Sequence, residues 1–324
     1  MTGLQSSGFI FNSKEKLDVN AMRANTSLIT NGTLRHEDYI SWDEKMVAVA
    51  RNRLTVIQDL NTYGLVDSNY TLGDEIAKYE KLSDMTAGNV DMDGVTPGQR
   101  DRLVFTQTGV PIPIFHKDFQ LNRRQILSSQ NRPGANLPTL GIETATKIVA
   151  EDLESMVWNG LPNLVVGGYQ IYGLTNHPNR NTVAAAAPWG GGGDTPVADV
   201  EGMLAAAYAD KFYGPFVLYV SKDKWAFIQG DYSANKGDRT FMERFMAFSD
   251  IVAVRPGDGL PDGNVILVQM TTDVIELKVA QELMNFEQPQ VNAYQHDFEV
   301  MAAMAVAVKS DSSGNCGVVQ LTGA

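Results

Sequence analysis

Between Leu137 and Gly160 the apolar positions fall on one helical stripe: Ile142, Ala145, Val149, Leu153 and Met156 recur at the spacing of a single buried face. Pro138 bars continuation from upstream, and Thr139 can cap the first turn. Asn159-Gly160, followed by Pro162, ends the pattern. The spacing predicts a helix over 139–159, about 30 Å long at the α-helical rise. Glu143 and Lys147 stand at the favourable i,i+4 separation on it.

Upstream, residues 1–37 are polar and irregular and read as an arm. "HEDYISWDEKMVAVARNRL" is helical, with Trp42, Met46, Val49 and Arg53 on one face and Ile40 and Val47 beside it. From Gly64 to Thr108 the chain turns polar, with eight acids, four bases and scattered glycines. That is too long for an ordinary connection and reads as a projection or an insert. "LVFTQTGVPIPIFHKDFQL" alternates as one strand, placing Val110, Ile112 and Ile114 on one side. Pro111 and Pro113 cannot donate ladder hydrogen bonds, which makes it an edge or bulged strand. "NRRQILSSQ" is a short helix and "NRPGANLP" a turn.

Beyond Thr195 helices and strands mix. "VADVEGMLAAAYADKF" is a helix, "GPFVLYVS" a buried strand, "KDKWAFIQG" a helix start and "FMERFMAF" an apolar turn. "IVAVRPGDGLPDGNVILVQM" reads as two strands across a Gly/Pro loop, continued by "DVIELKVAQ". The last section reads as two strands joined by the "SDSSGN" turn. The strands do not alternate regularly enough for a doubly wound parallel sheet, so the fold class is α+β.

Composition narrows the function classes. At 44% hydrophobic and 20% charged, the chain can bury a core and is not broadly disordered. The single cysteine, Cys316, excludes an intramolecular disulfide framework. The opening residues lack a secretory signal, and the longest apolar run, Val300 to Val308, is too short for a bilayer, so the chain reads as soluble. Net charge is −12: residues 1–63 balance seven bases against seven acids, whereas residues 166–324 carry ten against eighteen. A basic patch with aromatic stacking residues is missing, which argues against specific nucleic-acid binding.

A search for chemistry finds little. His36, His116, His177 and His296 are isolated in sequence, with no pair at metal-ligand spacing. His177, in the turn "TNHPNR", reads as structural. The glycine run Gly190–Gly193 lacks the Lys-Ser/Thr of a phosphate loop. "DMDG" opens like a calcium loop but has Thr96 where glycine and Arg102 where glutamate are required. The paired acids Asp43/Glu44 and Glu151/Asp152 read as solvated or interface charges. No catalytic residue, cofactor or metal is expected, which leaves an enzyme of unknown class as the weakest reading.

The order of segments and three stretches carry a resemblance. "HEDYISWDEKMVAVARNRL" is similar to the amino-terminal helix of encapsulins, with a Trp inside an acidic helix. "VPIPIFHKDFQLNRRQI" resembles their strand-to-helix segment, F-x-L-x-R-x-x-[ILV]. "ATKIVAEDLESMVWNG" followed by "YGLTNHP" is similar to their long helix and its exit. The chain thus resembles the Hong Kong 97-like capsid fold of tailed-phage major capsid proteins, nearest the encapsulin (linocin-like) branch. The likeness is strongest over 37–178. Residues 1–36 ahead of the first helix, and the long projection, turn the reading from a cargo compartment towards a viral capsid.

The resemblance implies an N-terminal arm and first helix (1–63), an extended loop over a neighbouring subunit (64–108), and a peripheral P-domain (109–194) whose spine helix is 139–159. It further implies an axial A-domain (195–285) and closing P-domain strands (286–324). It implies a structural, non-enzymatic major capsid protein that self-assembles from hexamers and pentamers into an icosahedral head. That head encloses double-stranded DNA non-specifically, with portal, scaffold and decoration proteins as partners. The place is the virion, with assembly in the host cytoplasm and no membrane. The assembly-interface candidates are Trp42, Met46, Lys78, Lys81, Arg100, Arg102, Met242 and Phe245; Lys78 and Lys81 are also the lysines a covalent Lys–Asn cross-link would use. The alternative implied is an encapsulin-type shell packaging a cargo enzyme.

Overall fold

A computed structural model describes residues 45–50, 54–83, 85, 92, 102–130, 137–190, 195–231, 239–288 and 294–324. The arm, Trp42 and Arg100 lie outside the described residues. The chain divides into two compact units interleaved in sequence. One comprises Met1–Asp74, Ile112–Ser155 and Leu277–Ala305; the other comprises Glu75–Pro111, Met156–Glu276 and Val306–Ala324.

The first unit is built on a four-stranded sheet in the order β1 (Val66–Asp67), β11 (Ile275–Glu287), β12 (Gln295–Val308), β4 (Ile114–Asn122). Helices α1 (Thr55–Thr62), α2 (Arg123–Gln130) and most of α3 (Leu137–Asn159) belong to this unit. The predicted stripe of α3 is buried at every apolar position, widened by Thr146, Ala150 and Glu154. Helix α3 begins at Leu137 rather than Thr139, because a first turn tolerates Pro138, whose missing N–H would have had no intrahelical partner. Lys147 reaches Glu151 at 4.0 Å rather than the expected Glu143. Gly141 brings α3 against β4 so closely that a Cβ there would lie 2.5 Å from the Phe119 ring. Phe119 stacks on Phe298 of β12, centroids 5.2 Å apart.

Helix α1 was not legible as a separate element. Its N-terminus lacks a side-chain cap of its own. Glu154 of α3 supplies one, with Oε1 accepting from Val56 N at 3.0 Å and Thr55 Oγ1 at 2.7 Å. Strand β1 pairs parallel with β11, Val66 opposite Leu277 and Asp67 opposite Lys278, whose Nζ lies 2.8 Å from Asp67 Oδ2. Residues 64–74 therefore fall within this unit, with Leu65 buried in its core and residues 71–74 exposed.

The second unit centres on a five-stranded mixed sheet in the order β7 (Asn181–Ala184), β13 (Val318–Thr322), β10 (Asn264–Gln269), β8 (Phe216–Ser221), β9 (Ile251–Gly257). Strand β8 is buried along its whole length. Phe216, Leu218 and Val220 join the cluster formed by Val200, Met203 and Leu204 of α4 (Thr195–Ala209). On the opposite face Tyr219 meets the Trp158 ring edge-on at 5.2 Å. Each such side chain contributes roughly 1.5–3 kcal/mol by leaving water. Helices α5 (Lys222–Ile228) and α6 (Phe241–Phe245) complete the unit, with two hairpins: β2 (Ile76–Leu82) with β3 (Phe105–Pro111), and β5 (Leu161–Val166) with β6 (Tyr169–Ile171).

Three expectations change. The proline-bearing strand is two strands, β3 and β4, interrupted at Ile112-Pro113; Val110 and Ile112 are buried while Ile114 is exposed. Strand β4, which carries neither proline, lies at a sheet edge. Strands β9 and β10 are not neighbours, because β8 inserts between them. The last two strands do not pair across "SDSSGN" either: β12 lies in the first unit's sheet, and β13 lies between β10 and β7. Local turn chemistry could not show that a more apolar strand elsewhere would claim each partner.

Candidate assembly interface

The described histidines and the cysteine are held in structural settings or on an open face. His177 is buried, and its Nδ1 accepts from Asn179 N at 3.3 Å. Burial, reinforced by the positive charges of Lys81 and Arg180, lowers its pKa to about 4. His296 Nδ1 lies 2.6 Å from Glu287 Oε1 in the first unit's interior. Burial pushes the Cys316 thiol up to about 11, which keeps it protonated at neutral pH. His116 lies exposed on β4. Among the described residues no helix is long and apolar enough to cross a membrane.

The β2–β3 hairpin has a gradient along its length. Seven residue pairs run from Ile76 opposite Pro111 to Leu82 opposite Phe105. At the root Ala77 and Val110 are buried, and Gly109 sits so tightly that a Cβ would lie 2.8 Å from Ile76 and 3.3 Å from Tyr169. At the far end the two strands are closed by Ser83 N donating to Val104 O and Val104 N donating to Ser83 Oγ, each 3.0 Å. There the apolar side chains turn outward: Phe105 is 64% exposed, Val104 55% and Met85 62%. Outward apolar groups at the end of an anchored hairpin are what a binding surface requires and what an isolated subunit gains nothing from.

The interface candidates are placed differently from one another. Lys78 and Arg102 are exposed on or beside this hairpin. Lys81 is half-buried, its Nζ donating to Ser310 Oγ at 2.9 Å, and Ser310 Oγ also accepts from Asn179 Nδ2 at 3.0 Å. Lys81 thus ties the hairpin to its own unit, leaving Lys78 as the open lysine of the two. Met46 is buried, as are Ala50 and Leu54 at following four-residue steps. Phe245 is fully buried between Trp189 and Phe241, centroids 5.9 and 6.5 Å away, and Met242 is half-buried. Met46 and Phe245 are thus buried within their own units. The apolar periodicity that nominated them is the signature of burial and does not distinguish a core from a partner.

Periodicity also missed the outward apolar groups of the second unit. Tyr213 is 66% exposed and stacks on Tyr208 at 5.7 Å, and Met246 and Val252 are exposed as well. Helix α6 is only five residues long, so the stripe in "FMERFMAF" splits, with Phe241 and Phe245 inward and Met246 outward. The Tyr208 hydroxyl donates to Asp250 Oδ2 at 2.5 Å, and this bond, with burial and the nearby negative charge, raises the phenol pKa to about 12.

Solved structures share this architecture. The capsid of Myoviridae phage XM1 superposes with a TM-score of 0.65 at 13% identity, over 80% of this chain and 89% of that one. A virus-like particle from Pyrococcus furiosus gives 0.58 at 16% identity, over 87% and 98% respectively. The capsid of an empty GTA particle gives 0.54 at 13%, over 81% and 88%. No curated protein matches the sequence. At such identities the likeness establishes the fold, which is the Hong Kong 97-like capsid fold. Residues 25–321 match the family described as "Family of unknown function (DUF6260)", and the chain, with this capsid fold, belongs to that family.

Proposed function

We propose that the protein is the shell subunit of a virion: a structural, non-enzymatic major capsid protein that builds the icosahedral head of a tailed double-stranded DNA phage. The observation that carries this reading is the match, along most of both chains, to the XM1 phage capsid and the GTA capsid. The β2–β3 hairpin supports it. In this reading the extended loop is residues 75–111, anchored by Ala77, Gly109 and Lys81, and its apolar end lies on a neighbouring copy. The sheet β7-β13-β10-β8-β9 is the axial domain, and Tyr213, Met246 and Val252 contribute to contacts around five- and six-fold axes. Heterologous contacts that close by rotation give rings, and modest contacts repeated many times give a stable shell. Host cytoplasm during assembly, and portal, scaffold and decoration proteins, belong to the same proposal.

The test is electron microscopy of the expressed protein and of particles from producing cells, with nucleic-acid and protein analysis of their contents. Closed shells or capsomer rings, with DNA in the mature particles, are expected. A strictly monomeric protein overturns the proposal. Shells filled with one enzyme and free of DNA favour the encapsulin-type compartment instead, a reading supported by the match over 98% of the P. furiosus particle chain.

A further inference from the structure

We propose that the open face of the first unit's edge strand carries a site for a divalent transition-metal ion of the zinc class, formed by His116, Asp118 and Glu299. His116 and Asp118 are two residues apart on β4 and so project from the same face. Glu299 of β12 is the register partner of Asp118. His116 Nδ1 lies 3.4 Å from Asp118 Oδ1 and 3.8 Å from Glu299 Oε1, and all three ligand atoms fall within 4.8 Å of one another.

The pairing itself calls for a cation. Two carboxylates directly opposite on neighbouring strands repel, and such pairs destabilise a sheet. Here the imidazole places a nitrogen beside them, the donor that turns a repelling pair into a chelate. Glu299 is also held in orientation from outside the triad: Gln288 Nε2 donates to its Oε2 at 2.6 Å, leaving Oε1 on the His116 side. Gln288 is fixed in turn, its N donating to Asp297 O at 2.8 Å. A hydrogen-bonded carboxylate with its other oxygen directed at a second ligand is the usual outer support of a metal site.

The geometry suits a small ion. Zinc ligands lie about 2.0–2.2 Å from the metal, which in a tetrahedron spaces them roughly 3.3–3.6 Å apart. The 3.4 and 3.8 Å separations need adjustments of a few tenths of an ångström, which the exposed His116 and Asp118 side chains can make against the held Glu299. Water completes the coordination on the open side. A nitrogen donor favours zinc-class ions over magnesium and calcium, which take oxygen ligands. The bound ion ties the edge strand β4 to β12, whether or not the chain is assembled, so the inference stands apart from the shell proposal.

The experiment titrates the full-length protein with Zn²⁺ by calorimetry and with Co²⁺ by visible absorption, with Mg²⁺ and Ca²⁺ as comparisons. One Zn²⁺ per chain and a Co²⁺ ligand-field spectrum are expected. His116→Ala and Glu299→Gln should each weaken binding at least tenfold and remove that spectrum, with unchanged circular dichroism. Gln288→Ala should weaken binding about tenfold, as loss of an outer-shell partner does. Absence of Zn²⁺ binding overturns the site. So does binding that survives both ligand substitutions, or Mg²⁺ binding as tightly as Zn²⁺.

Discussion

His177 shows what a turn residue does once it is enclosed. Its ring meets Tyr172 edge-on at 5.8 Å, and burial together with Lys81 and Arg180 keeps the imidazole neutral, with a pKa of about 4. The unfolded chain titrates the same group near about 6.5. Between these values the unfolded state binds more protons, so folding stability rises with pH across that window. His177 therefore contributes no pH dependence above about 6.5, costs stability progressively as pH falls towards 4, and levels off below. Urea unfolding of unassembled wild-type and His177→Gln protein at about pH 7 and about pH 5 reads this directly. The wild type should lose more stability between the two pH values than the variant. Equal losses would show that His177 is not the group responsible. The sequence identified His177 as structural from its turn, but its cationic neighbours come from positions 81 and 180, and only the fold brings in Lys81.

At the scale of the element, the β2–β3 hairpin separates anchoring from docking. Val104 and Phe105 contribute little to the isolated subunit, because they stand in water at the far end of the ladder. Replacing both with aspartate should change the subunit's unfolding free energy by no more than about 1 kcal/mol, the range for exposed positions free of special contacts. In the proposed shell the same change places two charges in an apolar contact and should abolish closed particles, read by light scattering and microscopy. Normal shells from Val104→Asp/Phe105→Asp protein would remove the hairpin end from the interface. The polar, glycine-bearing composition of 64–108 pointed to a projection or an insert. Its root could not be read, because the β1–β11 ladder that holds 66–67 joins residues more than two hundred positions apart. Helix α3 was legible almost to its ends. Gly160, at φ +63°, closes it with Gly160 N donating to Met156 O at 2.8 Å, a stop written in local sequence alone.

For the molecule as a whole, the decisive quantity is the net charge of −12. Binding to DNA gains from releasing the counterions that lysine and arginine displace, and an acidic subunit has little such gain available. A gel-shift titration of the unassembled subunit at low salt should show negligible binding to double-stranded DNA. Tight, strongly salt-dependent binding would contradict the charge argument, and the arm bases Lys14, Lys16 and Arg23 would be the first to neutralise. Weak mutual repulsion suits a container that is filled and later emptied, which is how the proposed head would treat its genome.

The sequence by itself determined local facts: the course of the long helix α3, where it stops, and that it serves packing. These follow from side-chain periodicity and from glycine and proline geometry, which act within a few residues. The order of segments also carried the fold. Tertiary structure alone decided which strands pair, since β8 separates β9 from β10 and β13 leaves β12 for another sheet. It alone decided that Glu154 caps α1, and that Met46 and Phe245 face inward while Phe105 and Tyr213 face water. It alone set Asp118 and Glu299 opposite each other beside His116. The reason is the same in each case: burial and register are settled by competition among all segments for the same partners, and that competition has no signature in the neighbours of any one residue.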